Sequence, residues 1–313
     1  ERESKPVRRF SAKKIVCAGL AAALCIGGTA FAANAQSWFP LLFPNGGDAN
    51  LEGYVQTADN AKLTDENDSY RMSVESVLFD ESAGTGVISL HLENKKQDGV
   101  KPFTLAHLID SYRNKPDITW STLSSCYAEE GQLDFEVMYG DSGFCGSEFY
   151  LDTARSTDND YYFEGAFAIS SDYRQGEPLR LEALEPGKTT VRADGAGTAK
   201  TVLAVDLPEF QQMPYLTSEN GDVTLSQIGI RIRNADMHCT VDEVDKLSVQ
   251  LRDGSEYVIL DENADIDRTL YTYGFNSTED TDRIDTEIAV LARAFDLDNV
   301  QSVTINGEVY PLS

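Results

Sequence analysis

Four oxygen-bearing side chains alternate along one short stretch of the chain, at Asp261, Asn263, Asp265 and Asp267. The calcium loops of EF-hands hold their ion with side chains at this spacing, together with a glycine at the sharp turn and a glutamate at the last position. Here Ile266 stands at the glycine position and Thr272 at the glutamate position, so the stretch is not an EF-hand. It remains a candidate for a looser calcium site, with solvated turn carboxylates as the alternative.

Two short strings of the sequence come nearest to a set of catalytic residues. They are GDSG at residues 140–143 and TLAH, which ends at His107. Both strings echo chymotrypsin-like proteases, in which a histidine accepts the proton of the serine nucleophile. Ser142 and His107 are only 35 positions apart, whereas a whole β-barrel separates the two segments in those proteases. We therefore interpret GDSG as an acidic, glycine-rich turn, and we expect no catalytic residues.

The chain contains five cysteines, of which three lie in its acidic body. A disulfide between Cys126 and Cys145 is the favoured pairing outside a membrane, because closing a loop of about 20 residues would contribute on the order of 3 kcal/mol. Cys239 would then be a buried thiol. His238 precedes Cys239, but no second His/Cys pair stands at ligand spacing, so we expect no zinc site and no cofactor.

An uncharged, apolar run begins at Ile15 and ends at Ala35, after a basic stub at residues 1–14. Its length of about 21 residues corresponds to roughly 30 Å of helix, the thickness of bilayer hydrocarbon. Because an excess of Lys and Arg marks the cytoplasmic end, we predict a transmembrane helix with the amino terminus inside. The aromatic stretch at residues 38–43 would lie at the outer membrane surface. Cleavage after Ala35, as in a signal peptide, with secretion of the rest, is the alternative.

The net charge of the chain is -26 at pH 7. A surface this acidic repels nucleic acid and anionic lipid, so we expect no nucleic-acid partner. Solubility outside the cell explains the charge, and binding of cations is the alternative. With 41% apolar and 10% aromatic residues, the body is too hydrophobic for a disordered tail, and we expect two folded domains.

Apolar and polar side chains alternate along much of the body, as in strands with one buried face. Stretches around Val74 and around Leu90 are joined by a glycine-containing link, which predicts a hairpin, and further strands are predicted at residues 133–139, 161–169 and 203–207. We therefore predict a mainly β protein with minor α. Its antiparallel, β-sandwich-like ectodomain spans residues 69–210 and follows a tether at residues 36–68.

Residues 211–313 are predicted to form a smaller C-terminal α+β domain. Turn signals at Asp253-Gly254 and Asn306-Gly307 each predict a hairpin. Between them, apolar residues follow helical spacing from Ile284 to Phe295, which predicts an amphipathic helix at residues 282–295. A short helix is also predicted at residues 104–112.

Three stretches give the chain a resemblance to the extracytoplasmic region of anti-sigma-factor-like, single-pass membrane proteins of Gram-positive bacteria, a domain-of-unknown-function family. They are the Lys13-Lys14 stub with its Ala/Gly-rich apolar run that ends in GGTAFAANA at residue 35, RMSVESVLFDESAGTGVISLHLEN at residues 71–94, and LSVQLRDGSEYVIL with FDLDNVQSVTINGEVYPL at residues 247–260 and 295–312. The resemblance implies a β-rich outer domain and, in many members, an inner segment that binds a sigma factor. Fourteen residues precede the apolar run here, too few for a sigma-binding domain, so a sigma-binding part either lies upstream of Glu1 or is absent.

We therefore expect a non-enzymatic, membrane-anchored extracytoplasmic sensor or binding domain of an anti-sigma-factor-type regulator. A secreted or surface-displayed binding module is the first alternative. A hydrolase with two acidic catalytic residues is the second, because 52 acidic residues supply many carboxylate pairs. No aromatic-lined sugar site can be read from the sequence, since only two tryptophans occur, Trp38 and Trp120, and we place the first at the membrane.

Overall fold

The computed structural model describes residue 39, residue 51 and residues 53–57, 63–96, 133–140, 143–169, 173–185, 200–234, 244–267, 271–280 and 283–313. Within these ranges the chain forms four antiparallel sheets, joined by turns and two short 3-10 helices. This confirms the predicted mainly β class.

In chain order, the first ten strands are β1 (Gln56–Thr57), β2 (Thr64–Glu66), β3 (Tyr70–Asp80), β4 (Thr85–Asn94), β5 (Asp134–Tyr139), β6 (Gly143–Phe144), β7 (Gly146–Leu151), β8 (Asp160–Ala168), β9 (Leu179–Glu185) and β10 (Lys200–Asp206). The next ten are β11 (Tyr215–Thr217), β12 (Val223–Ser226), β13 (Gly229–Asn234), β14 (Lys246–Leu251), β15 (Glu256–Asp261), β16 (Ile266–Asp267), β17 (Tyr271–Asp280), β18 (Arg283–Leu291), β19 (Val300–Ile305) and β20 (Glu308–Pro311).

Strands β1 to β10 form the first two sheets. The first sheet has the order β1-β3-β4-β8-β7, with β2 also paired to β3, and the second has the order β10-β9-β5-β6. The predicted hairpin of β3 and β4 is confirmed, and Val74 pairs with Leu90 in its register. Phe135 of the second sheet contacts Phe149 and Phe163 of the first, with ring centroids 5.5 and 5.1 Å apart, so the two sheets share one hydrophobic core.

Strands β11 to β20 form the other two sheets. Their orders are β11-β12-β13-β18-β17 and β16-β15-β14-β19-β20. Ile230 and Ile288 of the third sheet and Val249 and Val303 of the fourth belong to a second hydrophobic core. Burying each such side chain contributes about 1.5–3 kcal/mol, so this core supplies much of the stability of the C-terminal region.

The helix predicted at residues 282–295 is wrong, because residues 283–291 form strand β18 between β13 and β17. Ala289 and Leu291 of this strand pack in the first core, whereas Ile288 and Val290 pack in the second. A strand that is buried on both faces has an unbroken run of apolar residues. The sequence of a buried helix can show the same run, so the spacing of apolar residues does not distinguish the two. Among its described residues, the C-terminal region is therefore β, with 3-10 helices only at Glu262–Ala264 and Leu297–Asn299.

The tether predicted at residues 36–68 is also wrong in the part that the structure describes. Phe39, Leu51 and Leu63 are buried in the first core, and β1 and β2 pair with β3. Phe39 therefore contacts protein rather than the outer membrane surface. The described residues of this stretch are therefore part of the folded body.

Two further helices of the sequence prediction, at residues 15–35 and 104–112, lie outside the described residues. Among the residues that the structure describes, no helix has both the length and the apolar character needed to cross a bilayer.

The two cores meet where the turn between β3 and β4 packs against β13. A Cβ atom built on Gly229 would lie 2.3 Å from Thr85 Oγ1, so the Thr85 side chain lies against the backbone of β13 and leaves no room for a side chain at position 229. The guanidinium of Arg231 lies beside Gly84 of the same turn. Because β18 contributes side chains to both cores, the two cores are in direct contact and the four sheets pack together.

Candidate functional site

A partly open groove of about 200 Å³ lies between the hairpin of β14 and β15 and the segment that links β18 to β19. It brings together aromatic, basic, acidic and amide side chains. The lining residues are Leu251, Asp253, Tyr257, Arg293, Phe295, Asp296 and Asn299.

The turn between β14 and β15 forms one rim of the groove. Asp253 Oδ1 accepts hydrogen bonds from the backbone N and the hydroxyl of Ser255, at 2.8 and 2.6 Å. Gly254 has a φ of +88°, a left-handed conformation that glycine adopts without a steric penalty. These contacts fix the Asp253 carboxylate at the rim.

The opposite rim is the 3-10 helix Leu297–Asn299, which Asp296 caps. Asp296 Oδ1 accepts from the backbone N of Asp298 at 3.2 Å, and Oδ2 accepts from Asn299 Nδ2 at 2.9 Å. The backbone N of Arg252 donates to the carbonyl of Asn299 at 2.7 Å, which joins this rim to the hairpin. The two rims are therefore held at a fixed separation.

Aromatic rings form the floor between the rims. The rings of Tyr257 and Phe295 meet edge to face, with centroids 5.7 Å apart and an interplanar angle of 81°. The guanidinium carbon of Arg293 lies 4.8 Å from the Tyr257 ring centroid and 5.8 Å from that of Phe295. Attraction between a cation and the negative ring face holds this guanidinium in the groove and contributes about 0.5–1 kcal/mol at a partly exposed site.

The charges in the groove are two carboxylates and one guanidinium. Hydrogen bonds from the hydroxyl and the backbone of Ser255 lower the pKa of Asp253 below its ordinary value of 3.8, so this carboxylate is ionised at neutral pH. The groove thus offers hydrogen-bond acceptors at both rims and a donor at its floor. This arrangement can bind a polar ligand from two sides.

Carboxyl groups with a raised pKa lie elsewhere. Burial raises the pKa of Asp80, which is fully buried where the two cores meet, and also that of Glu148 on β7. The Tyr150 hydroxyl donates to Glu148 at 2.5 Å. A general acid in a hydrolase needs a raised pKa and access to substrate. Asp80 lacks access, and Glu148 does not line the groove.

The calcium candidates do not converge in the structure. Asp261 Oδ1 accepts from the backbone N of Ala264 at 3.2 Å, which caps the 3-10 helix Glu262–Ala264, and its Oδ2 lies 3.6 Å from Lys246 Nζ. Asp265 ends this helix with a left-handed backbone, φ 54°. Within the described ranges, no group of three or more His, Cys, Asp or Glu side chains is placed to hold a metal ion. Asp261 ends β15 and Asp267 ends β16, whereas Asn263 and Asp265 lie between the two strands.

The other residues singled out in the sequence are mostly outside the described ranges. Cys145 is buried, with 2% of its surface exposed, but Cys126 and Cys239 are not described, so the predicted disulfide stays a prediction. His107 and Ser142 are likewise outside these ranges. Gly140 has a φ of +55°, as expected for a turn at GDSG.

A second polar cluster lies on the first sheet and crosses from β4 to β8. The rings of His91 and Tyr162 stack at 4.4 Å, and the Arg155 guanidinium lies 4.0 Å from the Tyr162 ring centroid. Arg155 also bonds both carboxylate oxygens of Glu75 at 3.0 Å, and His91 Nε2 lies 3.0 Å from Asp160 Oδ1. Because these contacts tie the loop before β8 to the sheet, we interpret the cluster as structural.

Sequence reasoning missed the groove because its residues come from two separate segments, 251–257 and 293–299. The Asp253-Gly254 turn was recognisable. However, the helix predicted at residues 282–295 includes Phe295, and a helix there does not predict its contact with Tyr257. A further signal in the sequence is the acidic pattern DLDN after Phe295, in which Asp296 caps the 3-10 helix Leu297–Asn299.

The fold and groove define a mainly β protein with a small groove lined by polar and aromatic side chains. No model of a known protein family matches the chain, and no curated protein matches its sequence.

Proposed function

We propose that this protein is a non-enzymatic binding domain with a β-sandwich-like architecture, anchored in the membrane by residues 15–35 and displayed on the outer side. Its ligand occupies the groove between Asp253 and Asn299, and ligand binding controls an anti-sigma-factor-type regulator. The observation that carries the proposal is the groove itself, in which a fixed aromatic floor and polar rims form a concave site.

The chemistry of the groove favours binding over catalysis. Asp253 stays ionised because Ser255 hydrogen-bonds its carboxylate. Both oxygens of Asp296 accept hydrogen bonds that shape the rim. Asp253 does not have the raised pKa of a general acid, and both carboxylates serve as hydrogen-bond acceptors, so the pair suits recognition of hydrogen-bond donors.

Regulation requires that the ligand interact differently with two states of the protein. The segment that carries Arg293 and Phe295 follows directly after β18, the strand that packs in both cores. A shift of this segment on ligand binding would therefore act on the contact between the cores. The sigma factor would bind a cytoplasmic part upstream of Glu1, on the other side of the membrane.

Protease treatment of intact cells that make the tagged protein tests its orientation. We expect external protease to digest the acidic body while an amino-terminal tag stays protected. A body protected in intact cells would overturn the proposal, and a mature chain that starts at Gln36 would support the secreted alternative.

Transcription from the sigma-dependent promoter tests the regulatory role. The Tyr257→Ala variant removes part of the groove floor. If cell-envelope fragments added to cells change transcription with the wild-type protein, we expect this variant to abolish that change. Tyr215→Ala is the matched control, because Tyr215 is an exposed tyrosine on β11 that does not line the groove. Equal responses of the two variants at equal protein levels would contradict a role for the groove.

A further inference from the structure

We infer that the groove binds one ring of a neutral, polyhydroxylated ligand, that is, one sugar unit of an oligosaccharide. This inference rests on the proposed binding function and specifies the ligand class for the same site.

The size of the groove limits the ligand. Its volume of about 200 Å³ is below the roughly 300–1,000 Å³ of pockets that enclose drug-sized molecules. One six-membered ring with its substituents fits such a volume. Because the groove is partly open, a longer chain can continue into solvent on either side of the bound ring.

The polar groups match hydroxyl groups in number and type. Carboxylate and amide oxygens accept hydrogen bonds from hydroxyl groups, and a guanidinium donates hydrogen bonds to them. Asp253 Oδ1 and Asn299 Nδ2 are committed to holding the rims, which leaves Asp253 Oδ2 and Asn299 Oδ1 to accept from a ligand. The Arg293 guanidinium donates from the floor. A hydroxyl both donates and accepts, so a sugar ring can use all three.

The apolar part of the groove suits the C–H face of a sugar ring. Tyr257 and Leu251 are half-buried, so each presents apolar surface to the groove while staying fixed by the second core. Tyrosine gives a rigid apolar surface with little loss of entropy on binding. The sequence showed no tryptophan platform for a sugar, but the fold supplies this surface from Tyr257.

The charge pattern disfavours the other ligand classes. An ammonium ligand would meet the Arg293 guanidinium at the floor, and a carboxylate or phosphate ligand would meet Asp253 and Asp296 at the rims. A purely apolar ligand would strip water from these charged groups without replacing their hydrogen bonds. A neutral ligand rich in hydroxyls avoids all three costs.

Isothermal titration calorimetry of the full chain, in a detergent without sugar headgroups, tests the inference. The probes are cellohexaose, chitohexaose and maltohexaose, with trilysine and citrate as cationic and anionic comparisons. We expect saturable binding of at least one oligosaccharide, with little dependence on salt because the ligand is neutral.

Variants locate the binding site. Tyr257→Ala should weaken oligosaccharide binding at least about tenfold, equivalent to about 1.4 kcal/mol. Asn299→Ala removes an exposed side chain together with its hydrogen bond to Asp296, and it should weaken binding by about threefold or more, within the usual range for one hydrogen bond. Asp253→Asn keeps the oxygen that holds the turn and should cost only a few fold. Tyr215→Ala should bind as the wild type does.

Each result has a defined meaning. Binding of an oligosaccharide that Tyr257→Ala and Asn299→Ala leave unchanged would overturn the inference, as would failure of all three oligosaccharides to bind. Two other results would show that the ligand is charged rather than a sugar and would leave the proposed function intact. One is salt-sensitive binding of trilysine that Asp253→Asn abolishes. The other is salt-sensitive binding of citrate that Arg293→Ala abolishes. If no probe binds and Tyr257→Ala leaves transcription unchanged, the proposed function fails as well.

Discussion

Replacing Gly229 by alanine is expected to weaken the contact between the two cores. The added Cβ would lie 2.3 Å from Thr85 Oγ1, 3.2 Å from Thr85 Cγ2 and 3.1 Å from Ala83 Cβ. Thr85 is fully buried and β-branched, so its side chain cannot rotate away at low cost. Overpacking of this kind costs about 1–3 kcal/mol, and alanine in a strand recovers about 0.5–1 kcal/mol relative to glycine. We expect a net loss of about 1–2 kcal/mol in the free energy of unfolding.

A double-mutant cycle shows whether this loss comes from Thr85. Thr85→Ala removes two of the three atoms that the new Cβ would meet and leaves only Ala83 Cβ at 3.1 Å, so Gly229→Ala should be better tolerated in that background. Thr85→Val is the matched control, since it keeps a branched side chain and should not rescue. The Thr85 hydroxyl has no hydrogen-bond partner among the described residues, so the valine variant alone should be close to neutral.

Urea denaturation followed by circular dichroism gives the four free energies of each cycle. We expect a coupling energy of about 1 kcal/mol or more between positions 229 and 85 for the alanine pair, as for residues in direct contact. Additive effects of Gly229→Ala and Thr85→Ala would refute the close approach of β13 to the turn between β3 and β4.

Three further substitutions test other parts of the structure. Burial raises the pKa of Asp80 in the folded state, so the unfolded state loses this proton first as the pH rises and the wild type loses stability. The Asp80→Asn variant should therefore be as stable as the wild type near pH 3 and more stable than the wild type at pH 7. Equal stability of the variant and the wild type at both pH values would contradict this. Phe167→Ala should cost about 3–5 kcal/mol, because Phe167 is fully buried against Phe79; a loss under 1 kcal/mol in urea denaturation would disprove that packing. Arg155→Ala should cost only about 0.2–1 kcal/mol, because its ion pair with Glu75 is solvent-exposed; a loss above 2 kcal/mol, or a change in ligand binding, would show a larger role.

Local turn chemistry explains what could be predicted from the sequence. Asn306 and Gly307 both have positive φ, 48° and 89°, as a two-residue hairpin turn requires, and they join β19 to β20 as predicted. The Asp253-Gly254 turn between β14 and β15 is confirmed in the same way. In these hairpins the signal lies within a few adjacent residues, so no distant contact is needed to read it.

Tertiary contacts decide the parts that the sequence did not reveal. The β18 segment has apolar residues at helical spacing, and only its position between two cores makes it a strand. Phe39 looked like membrane-surface material because its partners in the first core are distant in the sequence. The groove depends on both kinds of long-range contact, since Phe295 meets Tyr257 only when β18 and β19 are placed correctly.

The most direct test of the account is the position of the backbone amides that respond to a bound ligand. The measurement is a nuclear magnetic resonance titration of the isotope-labelled protein with the oligosaccharide that binds most tightly. The account predicts chemical-shift changes centred on residues 251–257 and 293–299, with saturation at the affinity measured by calorimetry. Shifts centred on the cluster around His91 and Tyr162, with none at the groove, would contradict it.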